Sequence, residues 1–242
     1  MLLVISARVI CMSRFNHASS QLMNKQNSII KFGEDVEGYM VPVLNEREIR
    51  ASAGIMFVML LISWMFILFK GDFLLVKYVI TVFFTDFIIR VFVSPRFSPT
   101  LIIGRMIVSK QTPEYVSAPP KKFAWKIGIG LSGLMFFLLV MLNSYSIITG
   151  ISCVICLCFL FFESAFGICL GCLFYPLLYK DEAGHCAGEV CEVTNKQAIQ
   201  KTARVQLLIV ICTIVYVLMA ILFFNDYLRE APKSLKEIIK LL

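Results

Sequence analysis

Charged residues are scarce in this sequence. Of its 242 residues, 16% are Asp, Glu, Lys or Arg and 59% are hydrophobic, and the mean hydropathy is +0.82. A water-soluble domain of this length needs a more polar surface, because about a quarter of the residues in an ordinary soluble protein are charged. The scarcity of charge excludes a soluble globular protein and indicates an integral membrane protein.

The sequence also lacks the features of a nucleic-acid-binding protein and of a secreted disulfide-rich protein. Its formal net charge is +7, but the basic residues lie between long apolar runs and form no patch with interleaved aromatic residues. Its nine cysteines come without a secretory signal, because residues 1–12 carry Arg8 among apolar residues and lead to no small-residue cleavage site. We therefore expect the lipid bilayer, and no nucleic acid, as a partner.

Five hydrophobic runs are long enough to cross a bilayer as helices, which takes about 20 residues each. They cover residues 52–69, 73–93, 125–142, 146–178 and 205–224. Their many Val, Ile and Phe residues would favour strands in water, but in lipid a single span must pair its backbone groups within itself, which only a helix does. The sequence predicts an all-α polytopic membrane bundle of about five transmembrane helices.

The connections between the spans predict how the chain is oriented. Residues 94–124 hold five basic residues and one acidic residue, Glu114, so the positive-inside rule places them in the cytoplasm. Counting spans from there puts the N-terminus and the 181–204 loop on the same side. Residues 14–38 are polar and mixed in charge, so the N-terminal segment 1–38 is expected to be poorly ordered. Residues 205–242 are expected to form the fifth span and an amphipathic tail.

Ionisable residues within the predicted spans are candidates for a function, because a charge inside a bilayer is costly unless it is paired. Asp86 and Arg90 lie on one helical face and predict either a structural ion pair or a functional site. Glu163 lies in the middle of the fourth span, where we expect it to be protonated or to pair with a cation such as Arg90. A proton-carrying or ligand-binding role stays open for these three residues. Lys77 is expected to extend outward to the bilayer surface.

Four cysteines suggest thiol or metal chemistry. Cys169 and Cys172 form a C-x-x-C pair at the end of the predicted fourth span, and Cys186 and Cys191 follow in the next loop, beside His185. Near the C-terminus of a helix the dipole disfavours a thiolate, so a nearby cation such as Arg96, Lys121 or Lys122 would have to compensate. The spacing permits zinc or an iron–sulfur cluster without requiring either, so no single cofactor is predicted.

A glycine motif in the third span resembles a nucleotide-binding loop in spacing alone. Gly128, Gly130 and Gly133 match G-x-G-x-x-G, but they lie within an apolar helix and follow no strand. We interpret them as a small-residue face for close helix packing. Gly167 and Gly171 form a similar face on the fourth span, which predicts that the third and fourth spans contact each other there.

Several sequence motifs, in a fixed order, resemble a bacterial membrane family known as domain of unknown function 4395. They occupy residues 41–54, 86–90, 95–99, 119–124 and 163–172. The resemblance covers roughly residues 39–180 and implies a four-span module in the bacterial inner membrane, whose last span carries the glycine and cysteine motif. The chain departs from this family by its N-terminal segment, by the loop with Cys186 and Cys191, and by its fifth span.

The family has no assigned activity, but its association with thioredoxin-like and sulfurtransferase-like proteins implies a thiol or sulfur role. We therefore predict an inner-membrane thiol redox relay, in which Cys169 and Cys172 exchange electrons or sulfane sulfur with a soluble partner of one of these kinds. Cys186 and Cys191 would form a relay or docking pair. Two other classes stay open: a structural or assembly protein, and a component of a small-solute transporter, for which the spans are few unless the chain oligomerises.

Overall fold

The structure, a computed structural model, describes residues 32–34, 36, 41–175 and 203–234. The described part contains two pairs of very short strands. β1 (Val43–Asn45) runs antiparallel to β2 (Tyr115–Ser117), and β3 (Ser144–Tyr145) runs parallel to β4 (Lys233–Ser234). The predicted 181–204 loop lies almost wholly outside the described residues, as does the end of the predicted amphipathic tail.

Helices make up the rest of the described fold. In chain order they are α1 (Glu46–Lys70), α2 (Leu74–Ile88), α3 (Pro99–Ile107), α4 (Ala118–Phe136), α5 (Ile147–Phe161), α6 (Leu170–Leu173) and α7 (Arg204–Arg229). Three of them continue in a π-helical turn: α2 over Ile89–Val93, α4 over Phe137–Met141 and α5 over Phe162–Phe166.

Among the described residues, four helices are long and apolar enough to cross a membrane: α1, α4 with its π turn, α5 with its π turn, and α7. α2 with its π turn is a further apolar helix, but it carries the three charged residues Lys77, Asp86 and Arg90. The predicted all-α polytopic membrane bundle is therefore confirmed.

Capping residues lie at both ends of α1. Asn45 precedes α1 and its side-chain oxygen accepts the Arg47 N–H at 3.2 Å, while Glu46 in the first turn suits the positive end of the helix dipole. Gly71 ends α1 in the left-handed region (φ 64°), and its N–H donates to the Ile67 carbonyl. These caps pair backbone groups at the two termini, which favours a helix that begins at Glu46 and ends at Lys70.

Contacts between the helix termini define two ends of the bundle. The hairpin end holds the tight connections around Gly71 and Asn143, together with β3, β4 and the end of α7. The loop end holds β1, β2, α3, the start of α4 and the end of α5. The predicted loop between the second and third spans is thus largely structured, since it contains α3 and β2 and ends seven residues early, where α4 begins at Ala118.

The prediction that Lys77 extends to the bilayer surface is wrong. Its side chain is buried, and its Nζ donates three hydrogen bonds, to Asn143 Oδ1 (2.7 Å), the Leu228 carbonyl (2.9 Å) and the Glu230 carbonyl (2.8 Å). A positive charge beside these carbonyls compensates the negative end of the α7 dipole. Lys77 therefore ties the fifth span to the other helices at the hairpin end.

The glycine face of α4 packs against α2, and not against the fourth span as predicted. A Cβ on Gly128 would lie 3.0 Å from the Phe87 ring, and a Cβ on Gly133 would lie 3.1 Å from the Phe84 ring. Of the two glycines predicted to contact the third span, Gly171 lies against Ala124 of α4, whereas a Cβ on Gly167 would meet the Arg50 guanidinium of α1.

Part of the N-terminal segment that was predicted to be poorly ordered is packed against the bundle. Glu34 forms an isolated β-bridge with Val43, and the Phe32 ring lies edge-on to Trp125 with 5.5 Å between the ring centroids. Within residues 1–38, the structure describes only 32–34 and 36. The prediction of poor order for the other residues therefore stays a prediction.

α3 lies so close to α1 that Gly104 has no room for a side chain. A Cβ there would lie 2.6 Å from the Glu48 carbonyl oxygen and 3.2 Å from the Ser52 nitrogen. We expect Gly104→Ala to lower the free energy of unfolding by about 1–3 kcal/mol, because the backbone of one helix must move. Thermal unfolding in detergent measures this, and Gly150→Ala is the control, because its Cβ would meet nothing within 4 Å. Equal melting temperatures for the two variants would contradict the close contact.

Candidate functional site

The C-x-x-C pair lies beyond the long helix that precedes it. Gly167 ends the π turn of α5 in the left-handed region (φ 69°), which glycine adopts without steric cost, and the chain turns there. Cys169 and Cys172, at and just after the start of the short helix α6, are joined by a disulfide, with their Cα atoms 5.2 Å apart. The predicted fourth span therefore ends at Phe166 and not at residue 178.

The sequence predicts both cysteines near the C-terminal end of one continuous helix, where the dipole disfavours a thiolate. In the structure, the turn at Gly167 separates both cysteines from α5, so they are not part of that helix. The Cys172 N–H instead donates to Cys169 Sγ, at 3.2 Å. A hydrogen bond of this kind favours the thiolate form of a cysteine.

Glu163 lies in the π turn that ends α5, and not in the middle of the span as predicted. Its Oε1 lies 2.6 Å from Nζ of Lys121, at the start of α4. The cation that pairs with Glu163 is therefore Lys121 and not Arg90. Lys121 also pairs with Glu46 in the first turn of α1, at 2.8 Å. One buried ammonium thus holds two carboxylates and joins three helices immediately before the cysteine pair.

The other cations expected near the cysteines are engaged elsewhere. Arg96 donates to Glu34 at 2.8 Å, and this hydrogen bond raises the pKa of the Arg96 guanidinium above its already high usual value. Lys122 lies over the Phe32 ring, 4.9 Å from its centroid. A residue that was not predicted, Arg50, donates from Nη2 to the Ala165 carbonyl at 3.4 Å, beside the turn that leads to Cys169.

The ion pair predicted between Asp86 and Arg90 is present and is deeply buried. Arg90 Nε lies 2.6 Å from Asp86 Oδ2, and each residue is only 2% exposed, so Arg90 does not reach the surface. Asp86 Oδ1 also accepts from Ser98 Oγ (2.8 Å) and from the Thr100 N–H (3.1 Å), and Arg90 Nη2 donates to Ser52 Oγ (2.6 Å). These bonds connect α1, α2 and α3, which is the arrangement expected of a structural ion pair.

A second buried pair went unpredicted. Arg105 of α3 donates from Nε to Glu48 of α1, at 3.1 Å, and Asn45 donates to the same carboxylate, also at 3.1 Å. The acidic residues at the start of α1 and the basic residues of the following segments were visible in the sequence. Their pairing was not, because the partners are far apart in the chain.

A cavity of about 80 Å³ lies inside the bundle and is bordered by Cys169 of the cysteine pair. It lies between α1, α2, α4 and α5, and most of its lining side chains are hydrophobic. Its wall also contains Cys169, Glu163 and Arg90. Three residues that the sequence singled out for different reasons therefore border one space.

The metal prediction falls partly outside the structure. In the ranges that the structure describes, no group of three or more His, Cys, Asp or Glu side chains is placed to hold a metal ion. Cys186, Cys191 and His185 lie outside these ranges, so their zinc, iron–sulfur or relay role stays a prediction.

The fold and the site together define a polytopic membrane protein with a disulfide at one end of its helical bundle. Residues 44–180, more than half of the chain, match the family model described as domain of unknown function (DUF4395). The chain belongs to this family, and the resemblance that its sequence motifs indicated is confirmed. Comparisons with curated proteins and with solved structures give no match. α7 lies beyond the matched residues.

Proposed function

We propose that this protein is a membrane thiol-disulfide redox protein whose Cys169–Cys172 disulfide accepts two electrons from a soluble thioredoxin-like dithiol. The position of the disulfide carries the proposal. It follows α5 directly at the loop end of the bundle, and both cysteines are partly exposed. Exchange requires an incoming thiolate to reach one of the sulfur atoms, and partial exposure permits that approach.

The exchange proceeds in two balanced steps. A thiolate of the partner attacks Cys172 Sγ, the Cys169–Cys172 bond breaks, and Cys169 leaves as the thiolate that the Cys172 N–H stabilises. The second thiol of the partner then attacks the mixed disulfide and releases Cys172. The partner ends as a disulfide and this protein as a dithiol, so two electrons and two protons have passed between them.

We place the loop end in the cytoplasm of a bacterial cell, with the chain in the inner membrane and its N-terminus on the cytoplasmic side. The five basic residues of residues 94–124 support this orientation through the positive-inside rule. A soluble cytoplasmic partner then reaches the cysteine pair without crossing the bilayer.

A thioredoxin that lacks its second active-site cysteine tests the proposal. This probe attacks a disulfide but does not resolve it efficiently, so we expect the oxidised full-length protein to give a covalent adduct of the summed mass on a non-reducing gel. Dithiothreitol should remove the adduct. Cys212→Ser is the matched control and should still form it, since this exposed cysteine lies on α7, away from the pair.

The variant in which Cys169 and Cys172 are both serine should form no adduct. A wild-type yield no higher than that of this double variant would refute the proposed exchange. If the native pair instead carries an added sulfur atom, seen by mass spectrometry, a sulfurtransferase-like partner replaces the thioredoxin-like one.

A structural or assembly role is the second candidate function. The buried Asp86–Arg90 and Glu48–Arg105 pairs support it, because the hydrogen bonds of both pairs join helices. On this account the serine double variant would leave the host pathway unchanged, whereas the redox proposal requires its loss.

A further inference from the structure

Independently of the redox proposal, we infer that the groove between the fifth span and the family module binds one anionic phospholipid, with an acyl chain in the groove and the phosphate at Arg204. The groove lies between α7 on one side and α2 and the start of α3 on the other. Its volume is about 280 Å³, well above the roughly 150 Å³ of a cavity that binds benzene. Part of a hydrocarbon chain therefore fits in it.

The groove runs along the fifth span and is open at its side. Leu208, Cys212 and Tyr216 line it on successive turns of α7, which cover about 12 Å along the helix axis. All three residues are exposed, and none of the most apolar 18-residue stretch of α7 is buried. The groove therefore opens where α7 faces the bilayer, so an acyl chain of a neighbouring lipid enters it from the side.

The threonine and aspartate side chains in the wall are already paired with protein groups. The hydroxyls of Thr85 and Thr213 each donate at 2.9 Å to a backbone carbonyl of their own helix. The Asp86 carboxylate is paired with Arg90. A methylene chain in the groove therefore leaves none of these groups without a partner, and the wall suits a ligand that forms no hydrogen bonds there.

Arg204 places a positive charge at the loop end of the groove. It is the first residue of α7, where the apolar span begins, so it lies at the level of the lipid headgroups. Leu208 follows one helical turn later, so the two side chains share one face of α7. Arg204 is exposed, and none of the ion pairs between described residues includes it. Its guanidinium is therefore free to form paired hydrogen bonds with a phosphate.

The charge of Arg204 selects an anionic headgroup over a zwitterionic one. Both kinds of phospholipid carry a phosphate, but the amine of a zwitterionic headgroup cancels its negative charge. One arginine at the surface of a bilayer favours an anionic lipid by about fivefold. A basic residue at the end of an apolar groove between spans is thus suited to a lipid with a net negative charge.

Protection of Cys212 from N-ethylmaleimide measures whether the groove is occupied. Cys212 lies in the groove wall, whereas Cys158, which is also exposed, lies on α5 and outside the groove. The full-length protein is studied in detergent, after native mass spectrometry shows that it carries no lipid. We expect added phosphatidylglycerol to slow the labelling of Cys212 several-fold and to leave that of Cys158 unchanged. Phosphatidylcholine should need about a fivefold higher concentration for the same protection.

Two pairs of variants locate the headgroup and the acyl chain. Arg204→Gln should remove the preference for phosphatidylglycerol, and Arg229→Gln, an exposed arginine at the other end of α7, should keep it. Ile209→Trp fills the groove and should abolish the binding of lipid seen by native mass spectrometry. Ile211→Trp, at an exposed position outside the groove, should bind lipid as the wild-type protein does.

Several results would overturn this inference. They are an absence of protection, equal protection by the two lipids, protection of Cys158 together with Cys212, and an unchanged preference in Arg204→Gln. If Cys212 is already unreactive in the lipid-free protein, another part of the chain or a second copy fills the groove, and the inference is wrong. The thioredoxin adduct does not involve the groove, so the redox proposal stands or falls separately.

Discussion

Arg90→Met is expected to lower the free energy of unfolding by about 3–5 kcal/mol, because it leaves a buried carboxylate without its charged partner. Asp86 is 2% exposed and lies at the junction of α1, α2 and α3, where water cannot replace the guanidinium. The loss also removes the hydrogen bond from Arg90 to Ser52 of α1. Loss of helical signal with increasing denaturant, in detergent micelles, measures the change.

An exposed ion pair in the same protein provides the control for this prediction. Arg47 and Glu114 lie 2.6 Å apart, but their side chains are 32% and 48% exposed. Solvent screens such a pair, so Arg47→Met should cost about 0–1 kcal/mol. The double variant Asp86→Leu with Arg90→Met should recover part of the loss, since it removes both charges. Equal effects of Arg90→Met and Arg47→Met would contradict the structural role of the buried pair.

Lys121→Met is expected to have a second large effect, because one ammonium holds two carboxylates. Without it, Glu46 and Glu163 face each other as like charges, and the end of α5 loses its attachment to α1 and α4. We expect a loss of about 3–5 kcal/mol in the free energy of unfolding. Glu163 lies four residues before the turn at Gly167, which leads to Cys169. In Lys121→Met, reduced Cys169 and Cys172 should therefore react with maleimide several-fold faster than in the wild-type protein.

The matched control for this second prediction is Lys126→Met, in the same helix and exposed. It should change neither the stability nor the labelling rate. Lys121→Arg, which keeps the positive charge, should retain most of the stability. If Lys121→Met labels at the wild-type rate while lowering stability, the ion pairs hold the helices but do not position the cysteine segment.

The sequence predicts the membrane helices because their signal is local. A run of apolar residues reports its own environment, and hydrocarbon leaves helix as the only way to pair the backbone of a single span. The predicted end of the fourth span, at residue 178, is wrong because the residues on both sides of Gly167 are apolar and give no sign of the turn there. The left-handed turn at that glycine is a property of the chain conformation, and hydropathy does not detect it.

The polar site could be predicted only where its partners are close in sequence. Asp86 and Arg90 are one helical turn apart, so their pairing followed from helix geometry. Lys121 and Glu46 come from different spans, and nothing local marks them as partners. The same holds for Lys77, whose buried position depends on the carbonyls at the end of α7.

The fifth span, α7, lies beyond the residues that match the family and is held to the other helices near both of its ends. Gln206 and Leu228, near its two ends, are its buried residues. Gln206 donates to the Arg96 carbonyl at the loop end, and Lys77 binds the Leu228 carbonyl at the hairpin end. Between these anchors α7 presents apolar side chains outward, which is the surface expected of a helix that faces lipid.

The redox state of the cysteine pair in native membranes tests the proposed redox function most directly. Thiols would be trapped by acid and labelled with a maleimide polymer before and after reduction, in a variant whose seven other cysteines are replaced by serine: Cys11, Cys153, Cys156, Cys158, Cys186, Cys191 and Cys212. We expect reduction to add two labels, and both to disappear when Cys169 and Cys172 are also serine. If Cys169 and Cys172 stay unlabelled under every redox condition, even in detergent, the pair does not exchange electrons and the proposed function is wrong.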